Sequence, residues 1–252
     1  MFKKLLSNLS WKQSVALVTA GFALALPLVH MLIFRDGYNL GFYWALDLCF
    51  VPVQVLVVTL IVENVLGERE RAAKFHKLNM VIGAFFSEVG GEAIRRINEF
   101  CGDLDEARAR FAVDMHWGHE QYQEALAFAR GNSCRLDHDE TRMEELKLFL
   151  LEKRQFVLGL LQNPNLLEHD SFTDLLWALC HLTEELAARP GLEGLPPADV
   201  EHLKGDMRRA FNLLVVQWLA YMEHLKRSYP YIYSLQVRQN PFKQDRNVVV
   251  QG

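Results

Sequence analysis

The sequence predicts an all-α protein, with a two-helix transmembrane hairpin followed by a cytoplasmic multi-helix bundle. Two long apolar runs lie near the start of the 252-residue chain. After them the sequence becomes charged and amphipathic, and apolar residues recur every three or four positions. That spacing is typical of helices with one buried face, whereas a convincing two-residue alternation, the mark of a half-buried strand, is missing from the sequence.

The two apolar runs, residues 14–34 and 42–62, each contain 21 residues and no Lys, Arg or Glu. At about 1.5 Å per helical residue, each run covers roughly 30 Å, the thickness of a bilayer's hydrocarbon core. Residues 35–41 between them are rich in turn formers, so we expect antiparallel neighbouring spans. The first run extends well past the roughly 7–15 apolar residues of a secretory signal, which favours a retained span over a cleaved signal peptide.

The basic residues beside the spans predict their orientation. Positively charged flanks stay on the cytoplasmic side of a membrane, and here they precede the first span and follow the second, with only Arg35 between the spans. We therefore expect a multi-pass protein of the cell (inner or plasma) membrane with both termini in the cytoplasm. The flanking basic residues are Lys3, Lys4, Lys12, Arg69, Arg71, Lys74 and Lys77.

The four cysteines suggest a reducing environment. Cys49, Cys101, Cys134 and Cys180 are widely spaced and form no paired framework in the sequence. Disulfides are rare in the cytoplasm of most cells. We therefore expect reduced, partly buried thiols, in agreement with the predicted orientation.

Four regions follow from these patterns. They are a short cytoplasmic N-terminal segment (1–13), the transmembrane hairpin (14–62), a cytoplasmic helical domain (63–228) and an aromatic and basic C-terminal tail (229–252). Helices are predicted over 63–89, 119–130, 139–162, 171–188 and 199–227, with a stop or bend at Gly90-Gly91 and two shorter helices between residues 91 and 115. The last long helix carries the clearest apolar seam, formed by Val200, Leu203, Met207, Ala210, Leu214, Trp218, Tyr221 and Leu225.

The charge balance argues against a general nucleic-acid binder. The chain has 27 Lys and Arg against 31 Asp and Glu, and only four of the basic and two of the acidic residues precede residue 63. The predicted helical domain is therefore acidic, whereas proteins that bind nucleic acids normally present a basic surface. We predict no nucleic-acid partner.

Polar residues inside the spans form one candidate site. A carboxylate in the membrane is costly unless it has a partner or reaches water, so Asp47 is the most informative of them. His30 is predicted at a similar depth in the first span, and Gln54 follows Asp47 by seven residues on nearly the same helix face. His30, Asp47 and Gln54 could form a polar strip for proton or cation passage in an oligomer, or Asp47 could simply reach the interface.

A second candidate site is a metal centre of His116, His119 and Glu120. Imidazole and carboxylate groups are suitable ligands for zinc or iron, and helical spacing would place His116 on one face with both His119 and Glu120. However, Gly118 threatens a helix there, and the His-Glu-x-x-His motif of zinc proteases is missing because residue 123 is Gln. Solvated helix faces explain these residues as well, and no cofactor is predicted.

The C-terminal tail interleaves aromatic and basic side chains. Such a segment could dock on the bundle or a neighbouring subunit, or hold an anionic lipid surface. We rank docking first and lipid second, with single-stranded nucleic acid a distant third. The candidate contact residues are Arg227, Tyr229, Tyr231, Tyr233, Arg238 and Phe242.

These observations favour a membrane-anchored cytoplasmic helical module for interaction or regulation. It would be non-enzymatic and homo-oligomeric, with the lipid bilayer, further copies of itself and an unidentified protein as partners. One alternative is a subunit of a small oligomeric ion channel or transporter with Asp47 in the membrane path. The other is a membrane-bound metal-dependent enzyme, although nucleophile elbows and phosphate-binding loops are missing from the sequence.

Overall fold

The computed structural model describes residues 11–102, 104–131, 135–163, 166, 169–243 and 248–249, with only the backbone described for 12, 68–76 and 104. The predicted all-α fold is confirmed, since helices account for nearly all regular structure in these ranges. The one departure among them is an isolated antiparallel bridge between Cys101 and Leu136. The chain divides into two compact units, Met1–Arg71 and Ala72–Gly252, which are described separately below.

The first unit contains helix α1, Trp11–Phe34, and most of helix α2, Gly37–Phe85. The backbone of Arg35 turns between them with a positive φ of 50°. Asp36 caps the start of α2, because its Oδ1 atom accepts a hydrogen bond of 3.1 Å from the backbone N–H of Asn39. A carboxylate at this position satisfies a backbone donor that the first turn of a helix leaves free.

Each of these helices has an apolar stretch long enough to cross a membrane. The stretches are Gln13–Phe34 and Gly37–Gly67, and none of either window is buried inside the structure. The apolar side chains are instead exposed around the helices, with Leu32 at 80% and Leu48 at 74% exposed. The predicted spans of residues 14–34 and 42–62 lie within these two stretches.

The second unit is a helical bundle built around its longest helix, α8. That helix contacts α3, α5, α7 and α9, while α6 packs against α7 and α3. Seven of the eight predicted seam residues on α8 are buried, and Val200 is half-buried. The elements of this unit after α2 are a π-helix (Phe86–Gly90), α3 (Gly91–Asn98), α4 (Leu104–Arg110), α5 (His119–Gly131), α6 (Glu140–Leu161), α7 (Asp170–Ala188), α8 (Pro197–Ser228) and α9 (Pro230–Arg238).

At Gly90-Gly91, where a stop or a bend is predicted, the helix does not stop: it widens into a π-turn and then continues. The backbone N–H of Gly91 donates to the carbonyl oxygen of Phe86, five residues earlier, which is the π-helical pattern. The wide turn places two adjacent phenylalanines against different helices. Phe85 packs edge-on against Phe172 of α7 at 5.3 Å between ring centroids, and Phe86 stacks on Tyr221 of α8 at 5.4 Å.

A helix capped by Asp103 or Asp105 is predicted to carry Phe111, Val113 and Met115, and the observed helix is shorter than this. Helix α4 ends at Arg110, and the next residues turn so tightly that the N–H of Val113 donates to the carbonyl oxygen of Phe111. Phe111 and Val113 are nevertheless buried, whereas Met115 is half exposed. The apolar spacing of Phe111 and Val113 therefore arises because both side chains are buried, although the segment that carries them is irregular. Asp103 lies outside the described residues.

The expectation of reduced thiols is wrong for Cys101, which is disulfide-bonded. Cys49 and Cys180 are free thiols, and Cys134 lies outside the described residues. Backbone hydrogen bonds on both sides of Cys101 join the end of α3 to the segment before α6. The N–H of Gly102 donates to the carbonyl oxygen of Arg135 at 2.9 Å, and the N–H of Asp137 donates to the carbonyl oxygen of Phe100 at 2.7 Å.

Replacing Gly90 by Ala should destabilise the bundle. A Cβ atom at Gly90 would lie 2.5 Å from Cδ1 of Phe86 and 2.7 Å from Cε1 of Phe85, and both rings are buried. Overpacking of this kind costs about 1–3 kcal/mol, which thermal unfolding of the detergent-solubilised protein would detect as a lower Tm.

Gly159→Ala is the matched control, since nothing lies within 4 Å of a Cβ atom at that helical glycine. This change should leave the Tm unchanged or raise it, because Ala is favoured over Gly in a helix by up to about 1 kcal/mol. Equal Tm values for the two variants would contradict the packing described for the π-turn.

Candidate functional site

Helices α7 and α8 bring two pairs of polar side chains together across their interface. On α7, His181 and Glu185 are four residues apart, and on α8 His202 and Asp206 have the same spacing. Residues four apart lie on one face of a helix, so each helix presents an imidazole and a carboxylate to the other. We call these four residues, together with the arginines that contact them, Arg189 and Arg209, the α7–α8 polar cluster.

The four side chains contact one another in sequence across the interface. Nε2 of His181 lies 3.3 Å from Oδ2 of Asp206. Nε2 of His202 lies 3.5 Å from the same oxygen and 3.4 Å from Oε2 of Glu185. One carboxylate oxygen of Asp206 therefore faces two imidazole nitrogens.

Asp206 is the buried member of the cluster, with its side chain 5% exposed. Its Oδ1 atom accepts a hydrogen bond of 3.1 Å from Nη1 of Arg209. Its Oδ2 atom is buried and accepts no hydrogen bond from the described residues, and its contacts with His181 and His202 are at ion-pair distance. The side chains of His181 and His202 are 46% and 52% exposed, so solvent reaches the cluster.

Arg189, at the end of α7, orients the outer part of the cluster. Its guanidinium lies 3.0 Å from Oε2 of Glu185 and 2.5 Å from Oδ1 of Asp199. Hydrogen bonds from Arg189 hold the pKa values of Glu185 and Asp199 below their ordinary range. Both carboxylates are thus held in their charged form, which keeps Glu185 available as an oxygen ligand or hydrogen-bond acceptor.

The predicted metal residues His116, His119 and Glu120 are all exposed. His119 is turned toward α8, with its Nδ1 atom 2.6 Å from Oε1 of Glu223. The backbone N–H of His116 donates to Asp114. Among the residues that the structure describes, no group of three or more His, Cys, Asp or Glu side chains could hold a metal ion, so this geometry does not assemble the predicted ligand set.

The predicted strip in the spans is not joined by direct contacts. The described hydrogen bonds and ion pairs include none between His30 and Asp47, and the ring of His30 instead lies 4.9 Å from that of Phe34. Asp47 and Gln54 are both exposed on α2. A role for His30, Asp47 and Gln54 in the membrane stays a prediction.

Part of the C-terminal tail folds into the bundle as α9. Tyr233 and Phe242 are 1% and 2% exposed, so these two predicted contact residues are not available at the surface. The hydroxyl of Tyr233 donates to the carbonyl oxygen of Asp114 at 2.5 Å and lies 2.9 Å from the hydroxyl of Tyr122. Phe242 packs against Trp218 of α8, at 5.5 Å between ring centroids.

The remaining predicted contact residues lie nearer the surface. Arg227 and Tyr231 are exposed, and Arg238 donates to the hydroxyl of Ser234 at 2.8 Å. Tyr229 and Tyr231 line an open groove of about 390 Å³ together with Met80. The tail therefore supplies both core residues and one aromatic-lined surface.

Comparison with known proteins identifies the family of this chain. A family model described as "Uncharacterized protein MJ1433, C-terminal helical domain" matches residues 74–238. A second, described as "MJ1433, N-terminal helical domain", matches residues 3–66. The protein named "Uncharacterized protein MJ1433" of Methanocaldococcus jannaschii is 41% identical over 223 residues, which are 88% of this chain and 89% of that protein. This chain belongs to the MJ1433 family. No solved structure matches it significantly.

The two family domains agree with the division seen in the structure. The family models leave a gap between residues 66 and 74, and the two compact units meet at Arg71 and Ala72. The apolar stretches lie in the N-terminal family domain. The α7–α8 polar cluster and helix α9 lie in the C-terminal one.

Sequence reasoning missed the α7–α8 polar cluster, although a signal for it exists. The pairs His181 with Glu185 and His202 with Asp206 share a four-residue spacing on adjacent predicted helices. The short segment between those helices makes them antiparallel neighbours, which places 181 opposite 206 and 185 opposite 202. Inspecting each helix alone does not reveal this pairing.

Buried tyrosines should make the stability of the bundle fall at alkaline pH. Burial is the largest cause that raises the pKa values of Tyr122, Tyr221 and Tyr233 above their ordinary value of 10.0. The folded state thus keeps protons that the unfolded chain loses, so the free energy of unfolding is at its full value below pH 10 and declines above it. Chemical unfolding between about pH 8 and pH 11 would measure this decline.

Tyr233→Phe should lower the free energy of unfolding by about 1–2 kcal/mol at neutral pH, because the carbonyl of Asp114 loses a buried donor. It should also make the alkaline decline less steep. Tyr231→Phe, on the same helix but with 74% of the residue exposed, is the control and should change neither quantity. A free energy of unfolding that is independent of pH up to about 11 would contradict the raised pKa values of the buried tyrosines.

Proposed function

We propose that this protein is a membrane-anchored helical module that binds partners through its C-terminal domain and has no catalytic role. The observation that carries this proposal is the exposure of apolar side chains around two helices long enough to span a bilayer. A helix that is apolar on all sides needs either a protein interior or lipid around it. None of the described residues of the first unit buries these side chains, so lipid is the surrounding that we propose for them.

The orientation we propose has both termini in the cytoplasm. The basic residues that flank the spans support it, since only Arg35 lies between the spans. The disulfide of Cys101 argues against this orientation, because such bonds are more typical of oxidising compartments than of the cytoplasm. We give the flanking charges precedence because they act directly on insertion.

The groove beside α9 is the surface that we propose for partner binding. Tyr229 and Tyr231 line it, and Tyr231 is 74% exposed. Tyrosine and methionine are both enriched in protein interfaces, and Met80 borders the same groove with 57% of the residue exposed. A binding module needs such a surface, whereas a catalytic role would need reacting groups that converge on a substrate.

A second candidate function is that of a small oligomeric channel or transporter subunit. The specific observation in its favour is Asp47, which lies exposed on the second apolar helix and makes none of the described hydrogen bonds or ion pairs. A carboxylate facing lipid is costly, so a second copy of the chain would be needed to cover it. Cross-linking in native membranes that finds only monomers would eliminate this candidate.

Charged substitutions at the centre of both apolar helices should release the protein from membranes. Leu24→Arg combined with Val53→Arg introduces two charges, each of which costs about 2.5–3.5 kcal/mol at mid-membrane. We expect wild-type protein in the pellet after high-speed centrifugation of carbonate-washed membranes, and the double variant in the supernatant or in aggregates that detergent does not dissolve.

Leu148→Arg is the control for a general effect of arginine, because Leu148 is an apolar residue of α6 with 65% exposure. This variant should stay in the membrane pellet. Wild-type protein in the supernatant, or a double variant that remains membrane-integrated, would refute the anchor.

Labelling of introduced, exposed cysteines on intact cells should reveal the orientation. In a Cys49→Ser background, a membrane-impermeant maleimide should label Tyr38→Cys, which lies in the first turn of α2, before the predicted second span, and is 84% exposed. The same reagent should label Trp177→Cys, at a 61% exposed site of α7, only after the cells are permeabilised. The reverse pattern would place the C-terminal domain outside the cytoplasm and favour the compartment that the disulfide suggests.

A further inference from the structure

Asp47 and Gln54 are the most polar side chains of the predicted second span, residues 42–62, and both are exposed on α2. The span is centred on residue 52, so at about 1.5 Å per residue the two side chains would lie roughly 8 Å and 3 Å from mid-membrane. Neither has the long stem with which Lys and Arg reach the interface. A carboxyl or amide group at this depth needs a hydrogen-bond partner that lipid cannot supply.

The first apolar helix does not supply that partner among the residues that the structure describes. Asp47 and Gln54 take part in none of the described hydrogen bonds or ion pairs. Two polar side chains of α1 are engaged within α1 itself. The hydroxyl of Thr19 donates to the carbonyl oxygen of Val15 at 2.9 Å, and the ring of His30 lies 4.9 Å from that of Phe34. A partner from another molecule would satisfy the two groups on α2.

Asp47 and Gln54 belong to a continuous stripe along one side of α2. Its members follow one another in steps of four, three, four, three and four residues, which is the spacing of a coiled-coil seam. Besides the two polar residues the stripe contains only β-branched apolar ones, each between 45% and 59% exposed. Helices in membranes mostly cross at the same angle as those of coiled coils, so such a stripe suits one more helix. We call it the α2 seam, and its members are Asp47, Val51, Gln54, Val58, Ile61 and Val65.

We propose that α2 pairs along this seam with α2 of a second copy of the chain. The pairing rests on the membrane anchor proposed above. The flanking charges orient every copy in the same way, so two copies lie parallel and each seam residue meets its own counterpart at the same depth. A primary amide both donates and accepts, so the two Gln54 side chains bond to each other. The two Asp47 carboxyl groups share a proton in a second hydrogen bond.

A second copy fits this surface because the seam is complementary to itself. Two-fold pairing uses the same surface on both molecules, and each polar group then finds an identical group opposite. Asp47 and Gln54 lie two helical turns apart, so a shift of one copy by a single turn would place all four polar groups against apolar side chains. Polar residues in an apolar seam commonly fix the register in this way.

Cysteine cross-linking in native membranes tests the pairing. In the Cys49→Ser background, Val58→Cys should form a disulfide between two copies when copper phenanthroline oxidises the two thiols, and a dimer should appear on a non-reducing gel. Val57→Cys is the matched control, since this neighbouring valine is 47% exposed but points about 100° away from the seam. It should stay monomeric. So should wild-type protein, because Cys49 is a free thiol about 200° around the helix from Asp47.

Gln54→Leu tests the contribution of the amide pair. The change should weaken association of the copies about 3- to 30-fold, the effect expected for hydrogen bonds between helices in a membrane. Förster transfer between copies labelled at Trp177→Cys, in liposomes of increasing lipid content, would measure this loss. Thr59→Leu is the control, because it removes a polar group of the same helix that lies off the seam. It should leave association unchanged.

The outcomes separate the pairing from the anchor. The pairing is overturned if membrane-integrated Val58→Cys forms no dimer, if Val57→Cys forms as much, or if Val58→Cys cross-links only to a different protein. It is also overturned if Gln54→Leu associates as tightly as wild type. Each of these results leaves the anchor intact, whereas wild-type protein in the supernatant of washed membranes would overturn both.

Discussion

The constraint on which the rest depends is that no protein interior surrounds the two N-terminal helices within the part of the chain that the structure describes. Their backbone polar groups are satisfied within each helix, but their apolar side chains are exposed on every side. Soluble monomers rarely expose so large an apolar surface to water. In lipid, by contrast, a helix is favoured because its backbone hydrogen bonds are made within the chain. The proposed location and the proposed role both follow from that requirement.

The C-terminal unit meets the opposite requirement, since it buries its own apolar residues around α8. The π-turn contributes to this by placing Phe85 against α7 and Phe86 against α8 from neighbouring positions. An ordinary helical turn separates successive side chains by about 100°, and the wider turn changes which partners they meet. Gly90 permits the turn because a larger residue would meet both rings.

Some features of this molecule could be predicted from the sequence because they depend on neighbours along the chain. The length of the apolar runs and the seam of α8 are of this kind. The π-turn could not be predicted, because it results from packing among three helices. The apolar residues Phe111 and Val113 suggested a helix, but they lie in an irregular segment and are apolar because they are buried. The bond of Cys101 and the α7–α8 polar cluster likewise depend on residues distant in sequence.

Hydrogen–deuterium exchange of the full-length protein in liposomes tests the central claim most directly. Amides of Gln13–Phe34 and Gly37–Gly67 should resist exchange for hours, because lipid excludes water from helices that nothing else covers. The exposed residues Gly191 and Glu193, in the segment between α7 and α8, should exchange within minutes and serve as the internal reference. Exchange of both apolar stretches at the rate of that segment would show that they lie in water, and the account of this protein as a membrane-anchored module would be wrong.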